Sequence, residues 1–325
     1  MAIKNILTRA WQLLWRHKFI WALGLLPGIT HAISALLQYW LKGYVRQNLM
    51  PIFMNSAPGE LLFADKLPFP QELAAEIFQG EFLIISFIWL FIALVVFWII
   101  FTLTEAAIIA ATLHVQDDRP ITLKQSLSTG WKFVGRFIAI DALVFLPWFV
   151  VALTVMLLTL LVLLGTVGIS SQGTAVETVL GIMMVGFGCV SLLGSLLIPL
   201  GFLTMQFRTV AFRDIAAFGG SIRGSVKHTW RIVKANPTSM LILIAIMWGL
   251  NYLFGMVTNA ILMPLNAFTA VSLLDGSAIG SSLSFTSLLI TILLAIPKAI
   301  LFVYINIAWT LAYLDLAKTQ VRKLE

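Results

Sequence analysis

The chain has 325 residues, of which 60% are hydrophobic and only 11% are charged, and its mean hydropathy is +0.98. Soluble domains carry about 25% charged residues, so this composition excludes an ordinary soluble protein and predicts an integral membrane protein. The net charge of +7 does not indicate a nucleic-acid partner, because the basic residues are spread along the chain and no recognition fold is evident.

Six apolar stretches are each long enough to cross a bilayer core of about 30 Å. They cover residues 19–41, 82–113, 137–168, 177–206, 238–263 and 283–314. We therefore predict an all-α fold of six transmembrane helices in one membrane domain, residues 1–325. The longest connection, residues 43–80, contains several prolines and acidic residues and is predicted to be an insertion on the outer surface.

Short basic segments with one tryptophan each precede the first, third and fifth predicted spans. They read IKNILTRAW, LKQSLSTGW and IRGSVKHTW, and end at Trp11, Trp131 and Trp230. Apolar residues recur at the i, i+3, i+4, i+7 spacing of one helix face, and Lys or Arg lies on the other face. This pattern is typical of a helix in the plane of the membrane. We call the three segments the interfacial helices, and expect lipid contacts from their tryptophans and from Arg16 and Arg136.

Each interfacial helix is predicted to have a defined start and a turn into the next span. Thr122 and Ser221 stand one residue before the second and third helices, where a hydroxyl can cap free N–H groups. Gly130 and Gly135 suit a turn after the second helix, and Asn236-Pro237 suits one after the third.

A second motif recurs at the end of two spans. The octapeptide TVAFRDIA, residues 209–216, matches TLAYLDLA, residues 310–317, at a constant offset that aligns Asp214 with Asp315. With the interfacial helices, this match predicts three repeat units that share one orientation. The predicted units are 1–118, 119–217 and 218–325. We expect both aspartates to tether a span end to a basic interfacial helix.

Lysine and arginine concentrate in alternate connections. Segments 1–18, 113–136, 206–237 and 315–325 hold 17 of the 21 Lys and Arg residues and 5 of the 14 Asp and Glu residues. By the positive-inside rule, both termini and these connections face the cytoplasm. So clean an asymmetry suits a bacterial inner membrane, and the basic residues would attract anionic lipid of the inner leaflet.

Three charged residues, Glu105, Asp141 and Lys298, fall inside predicted spans. A charge within the membrane is costly and marks a functional site by default, so these residues are candidates for an intramembrane polar site. For Glu105 and Asp141 the favoured interpretation is a structural ion pair with a neighbouring basic helix. For Lys298 it is a side chain that reaches the outer interface or packs between helices.

The Ser/Thr-x-x-Trp segments before spans and the Ala-Phe/Tyr-x-Asp span ends resemble bacterial multispan membrane domains of unknown function. These include the membrane domain fused to some glycerophosphodiester phosphodiesterases. In such fusions catalysis belongs to a separate soluble barrel, so the resemblance implies an architecture and no reaction.

The four histidines and the single Cys189 have no metal-ligand spacing, and no phosphate loop or nucleophile motif is recognisable. We therefore predict no catalytic residue, metal or cofactor. The favoured function is a non-enzymatic scaffold or accessory subunit that binds lipid, anionic at the inner leaflet, or a membrane partner protein. A small-molecule or ion transporter with a pathway between the repeats is the alternative. A lipid-modifying enzyme using Asp214 or Asp315 is less favoured.

Overall fold

The computed structural model describes residues 3–28, 33, 36, 80–170, 188, 195, 201–274 and 279–324, and every regular element among them is a helix. The helices are α1 (Ile3–Arg16), α2 (Phe19–Gly28), α3 (Gly80–Gln116), α4 (Leu123–Ser170), α5 (201–218), α6 (Ile222–Ala235), α7 (Pro237–Leu274) and α8 (Ile279–Leu324). Residues 43–79 of the predicted outer insertion, and Cys189, lie outside the described residues.

Four helices are long and apolar enough to cross a membrane, which is the character of a multi-pass membrane protein. The candidate spans are Phe91–Gln116, Leu123–Val155, Pro237–Leu265 and Phe285–Lys318. They correspond to the second, third, fifth and sixth predicted spans. About half of the first predicted span and most of the fourth lie outside the described residues, so the count of six stays a prediction.

The chain forms two compact units. The first comprises Trp131–Ile244 and Trp309–Glu325, and we call it the α5 unit. The second comprises Ala2–Gly130 and Ala245–Ala308, and we call it the α1 unit. The division of the chain into three repeat units stays a prediction from the sequence.

In the α1 unit, α2 packs closely on α8. A Cβ atom added at Gly24 would lie 2.6 Å from the carbonyl oxygen of Ala299, and one added at Gly28 would lie 3.7 Å from that of Ala295. Both helices thus present small residues four positions apart. Such spacing lets membrane helices approach closely, and close packing drives their association because lipid is as apolar as the side chains.

Among the described residues, three helical segments of six or more residues are buried without a break. They are residues 104–112 of α3, 210–215 of α5 and 306–313 of α8. A helix has no exposed face over six residues only when neighbours surround it completely. These segments supply much of the buried core of the described residues.

The predicted helix starts at Thr122 and Ser221 are confirmed. The Thr122 hydroxyl accepts a hydrogen bond from the backbone N–H of Gln125 at 3.3 Å, and the Gln125 side chain accepts one from the Thr122 N–H at 2.9 Å, which forms a capping box. The Ser221 hydroxyl accepts from the N–H of Gly224 at 3.2 Å. Before it, α5 ends at residue 218 and is followed by Gly219, whose φ of +65° favours glycine.

The predicted turn at Gly130 and Gly135 is wrong, because α4 runs unbroken from Leu123 to Ser170 and so includes the second interfacial helix. Gly130 serves packing instead: a Cβ atom there would lie 2.7 Å from the backbone nitrogen of Ala107 on α3. The third interfacial helix, α6, does end at Asn236 as predicted.

Candidate functional site

The tryptophans of the three interfacial helices are all exposed. Their exposed fractions are 52% for Trp11, 61% for Trp131 and 60% for Trp230. The buried positions are also equivalent, because the residues five and one before each tryptophan are buried. These residues are Ile6 and Ala10, Ser126 and Gly130, and Ser225 and Thr229. The three helices therefore turn the same face inward and present the tryptophan outward.

A basic residue accompanies each tryptophan at the same spacing. Lys4, Lys124 and Arg223 stand seven residues before Trp11, Trp131 and Trp230, and all three basic side chains are exposed. Seven residues are two helical turns, so the cation and the tryptophan lie on one side of the helix. Every interfacial helix thus offers a cation and an indole ring to its surroundings.

Arg16 and Arg136, the other two residues expected to contact lipid, are also exposed. Arg16 ends α1, where a cation complements the partial negative charge of the helix end. Arg136 Nη1 donates a hydrogen bond to the Gly219 carbonyl at 3.1 Å, which connects α4 to the link between α5 and α6.

Asp141 pairs with Arg208 in the interior of the α5 unit. The Arg208 Nε contacts Asp141 Oδ1, and its Nη2 donates to Oδ2 at 3.3 Å, while the Asp141 side chain is 0% exposed. The Arg208 guanidinium carbon also lies 4.2 Å from the centre of the Phe212 ring, which stacks on Phe137 at 3.9 Å. This ion pair joins α4 to α5, and the aromatic rings shield it from water.

Asp214 connects three helices of the α5 unit. Its Oδ1 accepts a hydrogen bond from the Tyr313 hydroxyl on α8 at 2.5 Å and also contacts His228 Nδ1 on α6. Asp214 is 3% exposed and Tyr313 is 2% exposed, whereas His228 reaches the surface. The Phe218 ring lies edge-on to both the His228 and the Tyr313 rings. Asp214 therefore joins α5 to the third interfacial helix through His228.

These two carboxylates can fix helix positions. Hydrogen bonds to charged groups contribute roughly 1.5–3 kcal/mol each. A buried charge that loses its partner is strongly destabilising, so each contact also penalises alternative helix arrangements. The contacts of Asp141 and Asp214 therefore indicate a structural role, in which each carboxylate holds helices in place.

The remaining candidate residues occupy different settings. Glu105 is buried on α3 and Lys298 is exposed on α8, both in the α1 unit. Asp315, the repeat partner of Asp214, is partly exposed in the α5 unit. A transport pathway lined by Glu105, Asp141 and Lys298 stays a prediction.

Sequence reasoning missed Arg208, Tyr313 and His228 as partners of the carboxylates. Arg208 falls among the basic residues of segment 206–237, and nothing in the sequence around His228 indicates a carboxylate partner. The sequence did hold a signal for Tyr313, since the octapeptide match aligns it with Phe212. A tyrosine in a buried helix needs an acceptor for its hydroxyl, and the nearby aspartate of the other copy supplies one.

Comparisons of the chain with protein-family models, curated proteins and solved structures find no match. The resemblance to bacterial multispan domains accordingly stays a prediction, and function is inferred from the geometry above.

Proposed function

We propose that this protein is a non-enzymatic membrane scaffold or accessory subunit that binds anionic lipid at the cytoplasmic face through its interfacial helices. One observation carries the proposal: three basic helices bury the same face and expose a tryptophan and a cation on another. Tryptophan favours the membrane–water interface, and exposed Lys and Arg attract anionic headgroups.

The proposal includes six spans in three repeat units, with both termini in the cytoplasm. The four described spans, the shared burial pattern of the interfacial helices and the bias of Lys and Arg toward alternate connections support it. An even number of spans in each unit returns every interfacial helix to the same side. Three equivalent lipid contacts on one face would hold the bundle at a fixed depth and leave its other surfaces for a membrane partner.

The buried carboxylates support a structural role over a catalytic one. Asp141 and Asp214 are both engaged with side chains of the α5 unit, and these contacts join helices. Their removal is expected to affect helix packing, whereas removal of the exposed cations is expected to affect lipid binding and leave packing intact. The two groups of residues can therefore be tested separately.

The test is lipid retention after reconstitution in vesicles of equal phosphatidylglycerol and phosphatidylcholine. The protein is extracted in native nanodiscs and then gently released from them. Native mass spectrometry identifies the lipids that stay bound to it. We compare the unaltered protein with a triple variant, Lys4→Gln, Lys124→Gln and Arg223→Gln. The control triple removes three other exposed cations, Lys18, Arg119 and Lys318.

The unaltered protein and the control are expected to retain phosphatidylglycerol over phosphatidylcholine. In the triple variant of the interfacial helices, the ratio of retained phosphatidylglycerol to phosphatidylcholine is expected to fall about fivefold for each removed cation that contacts a headgroup. An unaltered protein that shows no preference for phosphatidylglycerol would overturn the lipid-binding proposal. A protein that co-purifies stoichiometrically would identify the membrane partner.

A further inference from the structure

An apolar groove of about 550 Å³ runs along the surface of the α5 unit, which is within the range of ligand-binding pockets. Its lining side chains include Leu143, Pro147 and Val151 of α4, Leu203 and Phe207 of α5, and Trp230 of α6. The hydroxyl in the lining belongs to Thr204, which accepts a hydrogen bond from Trp148 Nε1 at 3.0 Å and donates one to the Gly201 carbonyl at 2.8 Å. The groove thus suits an alkyl chain.

The direction and length of the groove match one leaflet of a membrane. Leu143 and Val151 are eight residues apart on α4, about 12 Å along the helix axis. Half of a bilayer core is about 15 Å thick. Trp230 belongs to an interfacial helix, so the groove extends from the proposed cytoplasmic interface into the hydrocarbon region.

Exposed cations stand close in sequence to two of the residues that line this groove, Leu143 and Trp230. Arg136 stands seven residues before Leu143 on the same face of α4, about 10 Å from it toward the start of the helix. On α6, Lys227 and Lys234 are three residues before and four residues after Trp230, which places all three on one face. Both lysines are exposed, and α6 contains no acidic residue.

The first interfacial helix offers a contrast. Its tryptophan packs against aromatic rings, with Trp11 centred 5.5 Å from Trp15 and 5.9 Å from Tyr304. Trp230 instead forms part of the groove wall. The third helix therefore combines an exposed cation pair, an interfacial indole and an adjoining alkyl-sized groove.

We propose that this groove holds one acyl chain of an anionic phospholipid whose phosphate is bound by Arg136 and Lys227. The inference rests on the proposed lipid-binding function and assigns it a specific site. Within a membrane an apolar groove gains nothing from the hydrophobic effect, because lipid tails are as apolar as its walls. The headgroup contacts must therefore select the occupant, and the groove orders the chain attached to that headgroup.

The experiment uses phosphatidylglycerol with a photoreactive diazirine in one acyl chain, and the full-length protein in vesicles. Labelled peptides are quantified by mass spectrometry, and the phosphatidylcholine analogue with the same chain is run in parallel. Leu143→Trp fills the groove, and Leu146→Trp adds the same bulk at an exposed position outside its lining. Arg136→Gln with Lys227→Gln removes the headgroup contacts, Arg136→Lys keeps the charge, and Lys132→Gln is the control cation.

Labelling by phosphatidylglycerol is expected at residues 143–151 and 201–207, severalfold above labelling by phosphatidylcholine. Leu143→Trp should lower it severalfold, and Leu146→Trp should leave it unchanged. The Arg136 and Lys227 double variant should lower it about fivefold for each cation lost, whereas Arg136→Lys and Lys132→Gln should retain it.

Equal labelling in Leu143→Trp and the unaltered protein would overturn the groove assignment, and so would equal labelling by the two lipids. Absence of labelling at residues 143–151 and 201–207 at every lipid concentration would also overturn the groove assignment. A second copy of the chain or a partner helix would then occupy the groove. The proposed function is separable from this result. It survives if the retention experiment still shows phosphatidylglycerol preference, and it fails on its own if that preference is absent.

Discussion

The first and third interfacial helices, α1 and α6, bury equivalent faces with different contacts. In α1 the attachment is aromatic: Trp11 packs edge-on against Tyr304, whose hydroxyl donates to the Leu7 carbonyl over 3.4 Å. In α6 the attachment is polar, through His228 to the buried carboxylate of Asp214. Aromatic packing tolerates small displacements, whereas a buried hydrogen bond is directional and costly to break.

This difference shows what the internal repeat retains. The repeat keeps the outward tryptophan and cation, which require only a position on the helix surface. It does not keep the residues of the inner face. The buried residues are Ile6 and Ala10 in α1 but Ser225 and Thr229 in α6. The α5 unit should accordingly depend on a few charged contacts, and the α1 unit on close packing of small and aromatic residues.

The largest effect is expected at the Asp141–Arg208 pair. Asp141→Ala leaves the Arg208 charge in the interior without its carboxylate and should destabilise the protein by about 3–5 kcal/mol. Unfolding in mixed micelles with increasing sodium dodecyl sulfate would measure this loss. The double variant Asp141→Leu with Arg208→Met should recover most of it, because no unpaired charge remains. A single variant as stable as the unaltered protein would contradict the structural role.

Asp214→Asn should have the next largest effect, about 2–3 kcal/mol, because hydrogen bonds to a neutral amide are weaker than those to a carboxylate. Limited trypsin digestion would localise the change, since α6 and α1 both contain exposed cleavage sites. Cleavage in α6 should accelerate while cleavage in α1 stays constant. Asp315→Asn, at the aligned and partly exposed position, is the matched control and should alter α6 cleavage less. Equal acceleration of cleavage in α6 and α1 would contradict the proposed difference between the two interfacial helices.

Gly24→Ala tests the α1 unit and should cost about 1–3 kcal/mol, because the added methyl group would overlap the Ala299 carbonyl and the Val303 side chain. Gly28→Ala is the matched control, since its methyl group would meet the Ala295 carbonyl at an ordinary contact distance of 3.7 Å. Thermal unfolding in detergent, followed by the fraction of monodisperse protein, would compare them. Equal stability of the two variants would contradict the close packing of α2 on α8.

Local features of these helices were predictable from sequence because their causes lie within a few residues. The hydroxyls of Thr122 and Ser221 cap helices, and the spacing of apolar residues identified the interfacial segments. The four described spans follow from the length of apolar stretches alone. Such features need no knowledge of which helices meet.

Contacts between distant residues were not predictable in the same way. Arg208 lies 67 residues from Asp141, so nothing in the local pattern selects it as a partner. Tyr313 lies 99 residues from Asp214, and only the match between the two octapeptides gives a signal for it. Glycine is typical of turns, yet Gly130 lies within the continuous helix α4. There its lack of a side chain lets α3 approach closely. Tertiary packing decides such cases, because a residue without a side chain serves either purpose.

The smallest predicted effect concerns His17, which directly follows α1. Partial burial, with the positive charge of Arg16 beside it, holds the pKa of His17 below its ordinary value. The unfolded chain then takes up a proton more readily than the folded chain, so His17 should reduce stability as pH falls below about 6.5. Comparing melting temperatures at pH 7.5 and pH 5 should show a smaller loss in His17→Gln than in the unaltered protein. Arg16→Gln should give an intermediate loss, because it removes the repulsion and leaves the burial. Parallel pH profiles for all three proteins would show that the end of α1 does not discriminate against the charged imidazole.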